Sequence, residues 1–150
     1  MRKKIAAGNW KMFKTPVETR DFLRSLKAQP APSCEVVIAP TYLCLESAVT
    51  EAAGSFIQIS AQNCYSQNQG AFTGEISPAQ LCAAGVTHVI LGHSERRHVF
   101  KETDQDINKK CSLALKEGLV PIFCVGEQLA ERKSGQLRSV LEKQILYGLE

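Results

Sequence analysis

The chain has 150 residues, of which 44% are hydrophobic and 22% charged, with a formal net charge of +3. That composition suits an ordinary globular domain, and no basic block longer than Arg2-Lys3-Lys4 supports nucleic-acid or membrane-surface binding. No apolar run approaches the roughly 20 residues that span a bilayer, and Ile5-Ala6-Ala7 is too short for a signal peptide, so a cytoplasmic chain is expected.

The first predicted strand is Lys4-Ile5-Ala6-Ala7-Gly8-Asn9, and a loop, Asn9-Trp10-Lys11-Met12, follows it. Thr15-Pro16-Val17-Glu18 then opens a helix, with Thr15 as N-cap, Pro16 in the first turn and Glu18 reaching back. Phe22, Leu23 and Leu26 form its predicted apolar face, and Pro30 to Pro32 end it. Cys34 to Pro40 reads as the second strand, Leu43 to Ala53 as a helix stopped by Gly54, and Phe56 to Asn63 as the third strand. A polar loop from Cys64 to Ile76 is long enough to need a purpose. Ser77-Pro78-Ala79-Gln80 repeats the capping pattern and starts a helix ending at Gly85.

The fourth strand is the most informative stretch: Val89-Ile90-Leu91-Gly92-His93-Ser94-Glu95-Arg96-Arg97. Three β-prone apolar residues stopped by glycine suggest a buried parallel strand. The histidine, hydroxyl, carboxylate and guanidinium groups then fall at its carboxyl end, where ligand chemistry gathers in α/β folds. A histidine beside a serine and a glutamate is equally the pattern of a hydrogen-bonded structural residue. Thr103 starts another helix, with Ile107, Cys111, Ala114 and Leu115 on one face, and Gly118 ends it. Leu119 to Glu127 is the fifth strand with its exit turn. Leu137, Val140, Leu141 and Ile145 recur at helical spacing in the tail, which stops in mid-pattern.

Strand and helix alternate five times with no hairpin, which predicts right-handed βαβ units and a parallel sheet. By pattern alone a five-unit doubly wound sheet is favoured, because an eight-unit barrel needs about 250 residues. The glycine-rich phosphate fingerprint expected of the former is absent. The six cysteines show no CxxC pair, have wide spacing and lie mostly within apolar runs, so buried reduced thiols are expected and no metal site is.

Three strand exits are polar: Asn9 with Lys11, His93 with Glu95, and Gly126 with Glu127. Exits of one parallel sheet converge on one face. An amide, an ammonium and an imidazole brought together there suit an anionic substrate with a carbonyl or enolate oxygen.

Six motifs in register carry a resemblance: Gly8-Asn9-Trp10-Lys11-Met12, Ala39-Pro40-Thr41-Tyr42-Leu43, Ala61-Gln62-Asn63, Gly70-Ala71-Phe72-Thr73-Gly74-Glu75, Gly92-His93-Ser94-Glu95-Arg96-Arg97 and Cys124-Val125-Gly126-Glu127. In order and spacing the sequence resembles the triosephosphate isomerase family. The resemblance replaces the doubly wound expectation with a (β/α)8 TIM barrel, of which residues 1–150 would be the N-terminal part, about five βα units of a single domain.

It implies interconversion of dihydroxyacetone phosphate and glyceraldehyde 3-phosphate through an enediolate, with no cofactor and no metal. Asn9 and Lys11 match the family's substrate-binding positions, and His93 its electrophile. In that family the histidine is a neutral imidazole, a well-known case of a helix N-terminus disfavouring the charged form. Glu95 matches a glutamate near the active-site lysine; the competing reading is a carboxylate that only favours a helix start. Cys124 resembles a cysteine beside the site, with a packing role. Thr73 resembles the loop residue that inserts into a second subunit, so a homodimer is expected.

The family's base lies beyond the sixth strand, and its lid and phosphate loops later still. Glu127 does not match the base. A piece of a longer enzyme, inactive by itself and prone to self-association, is therefore expected. The rival is a non-catalytic α/β interaction module, which has no reason to keep Asn9, Lys11 and His93 together.

Overall fold

Thr15, Ser77 and Thr103 cap helices as their spacing predicts. Each hydroxyl accepts the backbone N–H three residues on, and the side chain at that position (Glu18, Gln80 or Asp106) returns to the capping residue's N–H. They begin α1 (Pro16–Lys27), α3 (Pro78–Ala83) and α5 (Asp104–Lys116). A computed structural model describes residues 2–149. The other helices are α2 (Leu45–Ala52), entered through a 3-10 turn at Tyr42–Cys44, α4 (Ser94–His98), α6 (Leu129–Lys133) and α7 (Leu137–Leu149).

The strands are β1 (Ile5–Asn9), β2 (Glu35–Ala39), β3 (Ile57–Ala61), β4 (His88–Leu91) and β5 (Val120–Phe123). All neighbours are parallel and the order is β1-β2-β3-β4-β5. A doubly wound sheet must reverse its strand order at some point, and this one never does. Successive right-handed crossovers then stack the helices on one face. The core lies there: Val36, Ile38, Ile57, Ile59, Val89 and Leu91 meet Leu23, Leu45, Ala48, Leu81, Ile107 and Ala114. The opposite face is concave. Ala7, Val37, Ile90 and Ile122, from strands not all adjacent, line one cavity of about 180 Å³. The sheet is a curled half-barrel.

The curl buries the inward side chains of the middle strands and leaves the edges open. Val37 is 1% exposed, while Ile5 on β1 is 53% and Val120 on β5 is 51% exposed. At the amino end of the strands Glu35 holds Lys3 at 2.7 Å and the buried His88 at 3.6 Å.

Several details differ from the sequence reading. Leu115, predicted on the buried stripe of α5, is 62% exposed, and Lys110 is buried in its place. Lys110 lies three residues after Ile107 and four before Ala114, so it shares their face, whereas Leu115 is rotated a further 100° round the helix. Phe22 is partly exposed and sets its ring against that of Trp10 at 5.1 Å. Of the predicted stripe on α7, Leu137 and Ile145 remain exposed. All six cysteines are unpaired thiols; Cys44, Cys64 and Cys111 are buried, and Cys34, Cys82 and Cys124 only half-buried. No helix among the described residues is long and apolar enough to cross a membrane.

Candidate active site

β1 ends at Asn9, and the chain then turns sharply. Lys11 has φ of +51°, in the left-handed region that non-glycine residues avoid. Its N–H donates to Asn9 Oδ1 at 2.9 Å, and its carbonyl accepts from Gln62 Nε2 at 2.8 Å. The ammonium reaches Glu95 Oε1 at 2.8 Å. The hydrogen bond from Lys11, aided by the charge of its ammonium, holds the Glu95 carboxyl below its ordinary value.

β4 leaves through Gly92, whose φ is +72°. A Cβ there would sit 2.9 Å from Arg97 Nη2 and 3.1 Å from the Cys124 carbonyl, so the position requires glycine on two counts. The buried Arg97 guanidinium is the reason for the crowding. Its Nε donates to the Gly92 carbonyl at 2.7 Å, its Nη2 to the Cys124 carbonyl at 3.1 Å, and its Nη1 to Asp104. One side chain thus ties the exit of β4 to that of β5.

His93 follows as the N-cap of α4, and its Nδ1 accepts the Glu95 N–H at 3.3 Å. In the neutral ring that bond leaves the proton on Nε2, as a donor. Beneath the site, the buried Lys110 ammonium bridges Glu102 and Asn63 Oδ1, and Arg96 also pairs with Glu102.

Asn9, Lys11, His93 and Glu95 line one cavity of about 600 Å³. With Asn9 Oδ1 spent on Lys11, the amide Nδ2 is left as a donor. The arrangement offers an amide N–H, an ammonium and an imidazole N–H to an oxygen-rich anion. Among the described residues Glu95 is the sole carboxylate lining this cavity, and it is committed to Lys11. No cluster of histidines, cysteines and carboxylates among the described residues could hold a metal ion.

The third polar exit does not join. Glu127 faces Arg132 at 3.7 Å, and Gly126 exchanges two hydrogen bonds with Gln144 of α7. Cys124 lines the inner-face cavity with Asn9 and His93, and burial pushes its thiol up, away from the reactive thiolate. Thr73 is exposed in a turn closed by Glu75 N–H on the Phe72 carbonyl, on a loop whose base is pinned by Tyr65 N–H on Ile76. The loop is built rather than slack. Gln62, Arg97 and the Lys110–Glu102 pair had no assigned role from sequence, although the first two lie inside motifs quoted above.

The triosephosphate isomerase family model matches residues 4–150. The chain belongs to the triosephosphate isomerase family. It is 47% identical over 151 residues to triosephosphate isomerase of Solibacter usitatus, covering 99% of this chain and 61% of that one. The enzyme of Chloroherpeton thalassium is 49% identical over 153 residues, covering 100% and 61%. The crystal structure of triosephosphate isomerase from Bartonella henselae superposes with a TM-score of 0.94 at 39% identity, covering 99% of this chain and 62% of that one. This chain therefore spans about three-fifths of the length of the triosephosphate isomerases it matches, and the half-barrel corresponds to part of their fold.

Proposed function

We propose that the chain forms the first five βα units of a single barrel domain and carries the polarising half of a triose-phosphate isomerase site. The observation that carries this reading is the convergence of Lys11 from β1 and His93 from β4 on one cavity. The substrate is a three-carbon ketose or aldose phosphate, dihydroxyacetone phosphate or glyceraldehyde 3-phosphate. His93 Nε2–H and Asn9 Nδ2–H donate to the carbonyl oxygen and stabilise it as it becomes an enediolate oxygen. Lys11 offsets the phosphate charge and the developing negative charge. Glu95 orients the Lys11 ammonium.

Proton abstraction next to the carbonyl needs a carboxylate that is free to accept. Glu95 is engaged by Lys11, so the described residues polarise the substrate without deprotonating it. Met12, Phe13, Val99 and Phe100 are exposed around the cavity mouth. A rim of that kind suits a second copy of the chain, with Thr73 on the inserted loop, in a cytoplasmic homodimer. A docking surface explains the apolar rim but gives no use to Asn9, Lys11 and His93 behind it, and the isomerase reading uses both.

Titration of the isotope-labelled chain with dihydroxyacetone phosphate, followed by NMR, tests the reading. The His93 ring and the Lys11 side chain are expected to shift together in the unaltered chain, and the His93 shift to disappear in Lys11→Met. A His93 shift that persists in Lys11→Met, or a Lys11 shift without one at His93, would sink it.

A further inference from the structure

We propose that Gln62 is a positioning residue for Lys11: its amide, bonded at once to the carbonyls of Lys11 and Ala39, holds Lys11 in the left-handed turn from which the ammonium enters the cavity. The functional meaning of this rests on reading Lys11 as a substrate-binding group; its geometry and its test do not.

A lysine at φ of +51° is under strain, and such a residue stays there only when its surroundings over-determine it. Three contacts act on Lys11. The bond to Asn9 Oδ1 spans two residues of the same turn and moves with it. The ion pair with Glu95 joins two half-exposed side chains, and such pairs hold little in water. The third is Gln62, the only one of the three that ties this residue's backbone to another strand.

Gln62 can do so because its own place is fixed. It follows β3 directly, next to Asn63, whose side chain accepts from buried Lys110 and whose carbonyl accepts from the Tyr42 hydroxyl. The chemistry is specific. A primary amide carries two N–H groups on one nitrogen, and Nε2 spends them on two carbonyls, Lys11 and Ala39, each at 2.8 Å. Ala39 also accepts the Trp10 N–H at 3.0 Å, so the same oxygen registers the end of β1. A carboxylate at residue 62 would face both oxygens with no proton to offer, and a thioether would offer none either.

The test uses the Glu95 carboxyl as reporter of where the ammonium is, read by carbon NMR across pH. Lys11→Met defines full release, with Glu95 returning towards its ordinary value of 4.5. Gln62→Met and Gln62→Glu are expected to recover most of that change. Glu35, held low by Lys3 at the opposite end of the strands, is expected to titrate identically in all of them, reporting an intact fold. An unchanged Glu95 titration in Gln62→Met with Glu35 intact would overturn the proposal. Should the variants disturb Glu35, the unaltered chain decides: coupling through the hydrogen bond from Gln62 Nε2 to the Lys11 carbonyl carbon supports the proposal, and its absence overturns it. If dihydroxyacetone phosphate leaves His93 and Lys11 unmoved while Glu95 responds to Gln62 as stated, the isomerase reading fails and the positioning role stands.

Discussion

The two arms of the site are held in different ways. His93 hangs from β4, which has a strand on either side and whose exit is locked by the buried Arg97. Lys11 hangs from β1, which has one neighbour, and is held by a half-buried amide and a solvent-washed ion pair. The imidazole is therefore preset by the same contacts that hold the core, whereas the ammonium is preset by polar contacts that water can replace. Core substitutions should move the histidine arm and stability together. Substitutions around Lys11 should move the lysine arm with little effect on stability.

The largest effect is expected from Arg97→Met. It strands the Asp104 carboxylate and frees two carbonyls at a buried site, and breaking such a pair costs about 3–5 kcal/mol. Urea unfolding of the variant against the parent reads this directly; a loss too small to resolve would dissolve the contrast between the arms. Gly92→Ala follows. A left-handed alanine costs about 1–2 kcal/mol, and the added carbon also meets Arg97 and the Cys124 carbonyl. The same unfolding experiment should place it below Arg97→Met.

A third prediction concerns pH. Burial holds His88 below its ordinary value of 6.5, and burial outweighs the opposing pull of Glu35. The unfolded chain then takes up the proton first. The contribution to stability is complete above pH 6.5 and is lost as pH falls through the folded value. Glu35, held low by Lys3, sheds its own contribution only below 4.5. Between those limits His88→Phe should flatten the pH dependence of the unfolding midpoint, and a slope identical to the parent's would refute the assignment. The smallest effect is expected from Glu95→Gln. Its midpoint should match the parent's, because both partners of the pair are half-exposed, while the Lys11 ammonium loses its partner and its backbone turn stays where Gln62 holds it.

Much of this was legible in the sequence because it rests on local chemistry. Thr15 and Ser77 announce helix starts through residues three positions away, and Gly92 announces the turn that delivers His93. The half-barrel was not legible from pattern, since alternation of strand and helix is the same in singly and doubly wound sheets. Strand order is a long-range property, and the six motifs in register supplied it. Lys110 was unreadable for a related reason. A charged residue on a helix face reads as solvated until its partners are known; Asn63 lies 47 residues away, and Glu102 eight residues back, ahead of the helix start. Glu127 shows the converse: it stands at a polar strand exit as Lys11 and His93 do, but it pairs with Arg132 at 3.7 Å and does not line their cavity.

The most direct test is an isomerisation assay of the purified 150-residue chain with dihydroxyacetone phosphate, alongside His93→Gln. On the proposed reading the cavity polarises a carbonyl but has no carboxylate free to act as base, its one carboxylate among the described residues being bound to Lys11, so no enzymatic turnover is predicted from either protein. Turnover by the chain that vanishes in His93→Gln would contradict the account, because a free base would then have to lie within these residues.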